Sequence, residues 1–162
     1  MCDARLADQQ REALWAADCA ERVLPLFEAA APTDRHPRSA IEAARAWARG
    51  ELSVGAARAA AFAAHAAARD VEDTQARAAA RAAGHAAATA HVVGHARHAA
   101  AYAVTASSAD PDGERAWQDE HRPVELTDRH AAEPVAGQSP PTAVRRDHVA
   151  IGDDEPDNCR TT

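Results

Sequence analysis

Lysine is absent from these 162 residues, and all 18 basic side chains are arginine. Beside so much alanine, that bias reads as the codon usage of a GC-rich genome, not as arginine chosen for nucleic acid. Cysteine is scarce: Cys2, Cys19 and Cys159 are odd in number and far apart, which fits neither a disulfide framework nor a zinc spacing. The start, MCDARLADQQ, is polar, so no signal peptide is expected. Arginine or histidine interrupts every alanine tract, and no apolar run approaches the length of a membrane span. A cytoplasmic protein with no membrane partner is expected. Nucleophile motifs are missing as well: there is no GxSxG, no phosphate-cradling glycine loop and no cysteine with a placed histidine. The sequence therefore names no catalytic residue, no metal-ligand set and no cofactor, and it weighs against an enzyme.

What is abundant is alanine, with 47 residues. Alanine is the best helix former and loses no side-chain entropy on folding. It also buries little area, so a core made of it must bring helix axes close together. Charge is divided along the chain. Residues 1–106 carry 12 acidic and 12 basic side chains, and the whole net charge of −7 falls after them. A neutral folded part gives no footprint for a phosphate backbone, so no nucleic-acid partner is expected.

The periodicity predicts an all-α fold: an alanine-rich antiparallel bundle of four to five helices over 5–106. A first helix from Leu6 to Ala29 places Ala13, Ala16, Ala17, Ala20, Val23, Leu24 and Phe27 on one stripe. Trp15, Cys19 and Leu26 lie beside it, and Pro25 is placed to kink the last turns. Pro37 opens a second helix, whose Ala40, Ile41, Ala44, Trp47 and Ala48 share a face, and Gly50 stops it. Ser53 is the expected N-cap of a third helix, Val54 to Arg69, that buries Phe62 and its alanines. Asp73 caps the longest segment, Thr74 to Thr105. Its Ala76, Ala79, Ala83, Ala86, Ala87, Ala90, Gly94 and Ala101 form one small face, and Gly84 and Gly94 are the points at which it would break. Residues 107–124 read as a linker in which ERAWQDEH (114–121) makes a short helix docked by Trp117. Residues 125–162, rich in proline, glycine and acid, read as a disordered acidic tail.

One cluster has the residue types for chemistry. His91, His95 and His98 are spaced i, i+4 and i+7, and Tyr102 continues their stripe. An i, i+4 histidine pair can chelate a divalent metal. His65, His85 or Asp18 would complete the set from a neighbouring helix. Yet no carboxylate stands near them in the same helix, and HVVGHARH matches no metalloenzyme signature. The simpler reading is a row of hydrogen-bonded polar side chains at the rim of a close-packed helix pair. One local echo, AFAAHAAARDV (61–71) against AAGHAAATAHV (82–92), aligns His65 with His85; of a duplicated helical hairpin and a match of two alanine-rich segments by composition, composition is the preferred reading. Trp15 with Asp18 and Leu14 would make a partner-facing patch, although tryptophan in a small helical domain more often fills a gap between alanines.

The stretches LWAADCAERVLPLFE (14–28), AIEAARAWARGELSVGAARAAAFAAHAAAR (40–69) and AARAAGHAAATAHVVGHARHAAAYA (79–103) together resemble an actinobacterial family of immunity proteins, a helical class linked to polymorphic toxin systems. The resemblance covers about two thirds of the chain, and its segments keep the family's order. It implies an all-helical cytoplasmic protein of toxin–antitoxin type that binds and neutralises a cognate protein toxin without covalent chemistry. Glu114, Arg115, Trp117 and Gln118 match the family's ERxWQ-like start of a further helix, whereas HRPVELTDRHAAEP departs from its continuation. On this reading Trp15, Asp18, His65, His85, His91, His95, His98 and Tyr102 are candidates for contact with a partner. The alternative is a small-molecule- or metal-binding bundle, with or without enzymatic activity, that uses the histidine face.

Overall fold

Helix boundaries follow local chemistry. The Ser53 hydroxyl accepts the Ala56 N–H at 3.2 Å, and the Asp73 carboxylate accepts that of Ala76 at 2.7 Å. Each satisfies a donor that a helix start leaves orphaned. Asp110 does the same for Gly113 at 2.9 Å, followed by Pro111 in the first turn. At the other end of a helix, Gly50 adopts φ +75°. Its N–H reaches the Trp47 carbonyl at 2.9 Å, and that of Glu51 reaches Ala46 at 2.9 Å. This is the paired closure for which a left-handed residue is needed, and glycine adopts it without a Cβ penalty.

The computed structural model describes residues 2–124, so the tail expected from residue 125 lies outside the described residues. Among the described residues six helices form: α1 (Cys2–Ala30), α2 (His36–Ala48), α3 (Val54–Asp70), α4 (Thr74–Ala88), α5 (His95–Ala106) and α6 (Pro111–His121). There is no strand among the described residues. The count exceeds the expected four to five, chiefly because the segment from Thr74 to Thr105 is two helices. Thr89, fully buried, bonds its hydroxyl to the His85 carbonyl at 3.1 Å. Gln9 of α1 donates to the carbonyls of Thr89 and Ala90 at 2.8 and 3.3 Å. With those acceptors satisfied from outside the helix, and with Val92, Val93 and Gly94 poor helix formers, the chain turns over 89–94. The last helix is also complete, and it begins three residues before the expected start.

α4 lies at the centre, packed against α1, α2, α3 and α5. Ten of its fifteen residues are buried, and every one is alanine or glycine. The expected small face is buried at Ala76, Ala79, Ala83, Ala86, Ala87 and Ala90. It ends there: Ala101 is exposed and Gly94 only half-buried, because the break rotates α5 onto a different stripe, Ala96, Ala99, Ala100, Ala103 and Ala106. The stripes expected for α1 and α2 are buried at Phe27, Leu24, Val23, Ile41 and Trp47, whereas Leu26 of the neighbouring stripe is exposed.

Phe62 is a second correction. It is 59% exposed, and α3 packs through Ala57, Ala61, Ala64, Ala67 and Ala68 instead. A ring on that side would hold α3 off α4 and forfeit the close contact that alanine permits.

Helices α1 and α2 are joined by Arg45, which bonds Asp18 at 2.7 Å and Glu21 at 2.7 and 2.9 Å. α6 docks through Glu114, only 4% exposed, whose carboxylate meets Arg22 at 2.9 Å. Gln118 donates to Glu114 at 2.9 Å and to the Ala100 carbonyl at 3.0 Å. Trp117 is partly buried, with the Arg22 guanidinium 4.1 Å from its ring centre. Cys19, free and fully buried, has its thiol pushed up to about 12 by burial first and then by Glu114 and Asp18. It is inert as a nucleophile.

Candidate functional site: a histidine face on three helices

Apart from the half-buried Gln75 at its start, α4 raises long side chains on one stripe only, Arg77, Arg81 and His85 at i, i+4 and i+8. That stripe brings His85 into a group of rings from both neighbouring helices. His85 lies 4.8 Å from His65 of α3, edge to face. From α5, His95, His98 and Tyr102 lie 5.2, 5.3 and 5.3 Å away. Tyr102 stacks within 11° of parallel. The His85 and His95 Nδ1 atoms are 3.1 Å apart, so one donates to the other. His91, in the turn, extends the row through His95 at 5.1 Å.

The structure thus brings six of the eight candidate side chains together: His65, His85, His91, His95, His98 and Tyr102. Centring them on His85, and not on the expected α5 row, is what the sequence did not reveal. Trp15 and Asp18 lie elsewhere. Trp15 is 7% exposed and donates its indole N–H to the Gln118 carbonyl at 3.1 Å. Asp18 is exposed on the Arg45 clamp.

His65 is seated by Gly84. A Cβ at residue 84 would stand 2.6 Å from the ring, so only glycine lets the imidazole rest on the α4 backbone. Burial, then the charge of Arg81, of His95 when protonated, and of Arg69, pulls the His65 pKa below its ordinary value. Burial and then His65, His95, His98 and Arg81 bring His85 down to about 4. His95 is lowered by burial and by His91 and His98. These three rings are neutral at pH 7. Among the described residues, no group of three or more His, Cys, Asp or Glu side chains is arranged to hold a metal ion.

These shifts set a pH dependence. Between pH 6.5 and about 4 the unfolded chain binds protons that the folded histidines refuse, so stability falls as pH falls through that window. Discounting for solvent access at the rim, the loss by pH 5 is about 1–2 kcal/mol. Melting at pH 7.5 and pH 5 checks it, and His85→Gln should shrink the difference. An undiminished difference in that variant would remove His85 as its source.

Residues that periodicity alone did not select complete the face. Arg58, Phe62, His65 and Arg69 fall on one stripe of α3, with Phe62 under the Arg58 guanidinium at 5.3 Å. Between Ser53 and Ala109 the only acidic residues are Asp70, Glu72 and Asp73, at the α3–α4 turn. The face formed by α3, α4 and α5 is therefore basic and aromatic, while carboxylates concentrate on α1 and α6.

A family model described as "Imm-5 like putative immunity protein" matches residues 4–125. The chain belongs to this family of Imm-5-like immunity proteins. The match takes in all but the first residues of α1 and the whole of α2 to α6, so the histidine face and the docked α6 both lie inside the family's domain. No curated protein and no solved structure matches the chain. Among the described residues of this immunity-family chain, no helix is long and apolar enough to cross a membrane.

Proposed function

We propose that this protein neutralises a cognate protein toxin by non-covalent association, and that the α3–α5 face is its contact surface. Membership of the immunity family carries the reading. The geometry adds a suitable surface: an exposed phenylalanine beside arginines, exposed His91 and His98, and a half-buried tyrosine. Aromatic and arginine side chains supply most binding energy at protein interfaces. Trp15, buried under α6, is not available for contact without undocking that helix. No covalent step is required, since binding alone can occlude an active site.

The test is co-expression with toxins encoded beside the gene. Wild type should restore growth and form a stable complex with one of them on size exclusion. Phe62→Glu should weaken that complex at least tenfold, about 1.4 kcal/mol or more, while leaving the melting temperature of the free protein nearly unchanged. Growth restored equally by both forms would move the contact surface elsewhere, and no neutralisation of any neighbouring toxin would end the reading. The alternative of a ligand-binding bundle is favoured by one specific observation, a cavity in the same face.

A further inference from the structure

A cavity of about 220 Å³ opens between α3 and α4, lined by His65, Arg69, Arg81 and His85. Two of the lining groups are guanidinium cations and two are imidazoles, with no carboxylate among them. Among the described residues, neither Arg69 nor Arg81 makes an ion pair, a state they share with Arg5, Arg35, Arg58, Arg77 and Arg97, whereas Arg11, Arg22, Arg38, Arg45, Arg49 and Arg115 each meet a carboxylate. Arg81 is held in place by a neutral partner, the Tyr102 hydroxyl at 3.3 Å. Arg69 follows His65 by one helical turn, and Arg81 precedes His85 by one turn. Two Arg–His pairs therefore meet across the helix interface.

Two cations that line one cavity, with no carboxylate paired to either among the described residues, are incomplete as a structural motif. Guanidinium groups on one cavity repel, and the only contacts that temper Arg81 among the described residues are with neutral Tyr102, its hydroxyl and its ring face at 5.7 Å. An oxyanion would offset that repulsion, taking charge-assisted bonds from the forked guanidinium donors and further bonds from the imidazole N–H groups. Gly84 is part of the same construction, because it seats the ring of His65, one of the lining residues. We infer that the His65, Arg69, Arg81 and His85 cavity is a binding site for an oxyanion, either a phosphate group or a carboxylate. The inference goes beyond toxin recognition and does not depend on it.

The site has a predictable pH response. Facing His65 and His85 are Arg69 from α3, Arg81 from α4, and His95, His98 and Tyr102 from α5, with no carboxylate among them. A bound anion reverses that local balance and favours the imidazolium form. Binding should therefore tighten as pH falls from 7.5 to 6, by roughly threefold or more if one proton is partly taken up.

The experiment titrates the full chain with sodium phosphate, with sodium succinate, and with sodium chloride at matched ionic strength, following the imidazole carbon-bound protons by NMR. Saturable shifts of His65 and His85 with phosphate alone assign a phosphate site. The same shifts with succinate extend it to carboxylates. In either case they should vanish in the Arg69→Gln/Arg81→Gln double variant and weaken in Gly84→Ala, where the added methyl displaces His65 without removing a polar group. Chloride reproducing the shifts, or the double variant retaining them, would overturn the site. Because no toxin enters the measurement, its result is separate from the neutralisation test.

Discussion

Replacing Ala87 by leucine is expected to destabilise the protein by about 3 kcal/mol, the upper end of what overpacking costs. Ala87 is fully buried on a helix that four others enclose. Three further carbon atoms have no cavity to enter, and the alanine surfaces around them have no rotamers with which to yield. Relief requires moving a helix axis, which breaks alanine contacts along its length. For a domain of this size the melting temperature should fall by roughly 10 °C. Ala101→Leu, on the exposed side of α5, is the control and should melt with wild type. If the two variants behave alike, α4 is not the close-packed centre described above.

Glu114→Ala should cost about 2–4 kcal/mol. Removing a buried carboxylate leaves Arg22 without its ion pair and takes one acceptor from the Gln118 amide. Breaking such a pair from one side costs more than the pair contributes as a unit. Arg22 is 40% exposed and regains water, which keeps the figure below the fully buried limit. The loss should be concentrated at α6, whose Gln118 carbonyl also receives the Trp15 indole N–H. Urea unfolding of Glu114→Ala beside Glu114→Gln tests it, the glutamine retaining an acceptor for Gln118 and so costing less. A Glu114→Ala variant within about 0.5 kcal/mol of wild type would show that α6 is held by its apolar contacts alone.

How much of this was readable in advance depended on whether the controlling interaction was local. Ser53, Asp73 and Gly50 act within one turn of themselves, and the structure bears out each of those expected caps and stops. The stripes of α1 and α2 contain large side chains at helical spacing, and those side chains are buried. Phe62 failed the same rule because an alanine interface excludes large rings, a property of the partner helix and not of α3. The break at 89–94 was partly legible, since Gly94, one of the two expected break points, is the N-cap of α5, whereas the bond from Gln9, eighty residues away in sequence, is encoded by no local pattern. The histidine site was half legible. The α5 row was visible as a period, whereas the echo of 61–71 in 82–92, read as a match of composition, gave no reason to expect the ring contact of His65 with His85. What no spacing could supply was that both arginines one turn away would face the same cavity.

The position of α4 has a consequence for how this domain assembles. The helix is fourth of six along the described chain and lies in the middle of the core, so its partners are synthesised partly before it and partly after it. Its contacts with α1 span about seventy residues of sequence, and that loop closes before the alanine surfaces yield their contacts. Isolated alanine helices of this length are marginal in water. No subset of neighbouring helices encloses α4 on all sides, so the five helices α1 to α5 gain their stability together, as one all-or-none unit.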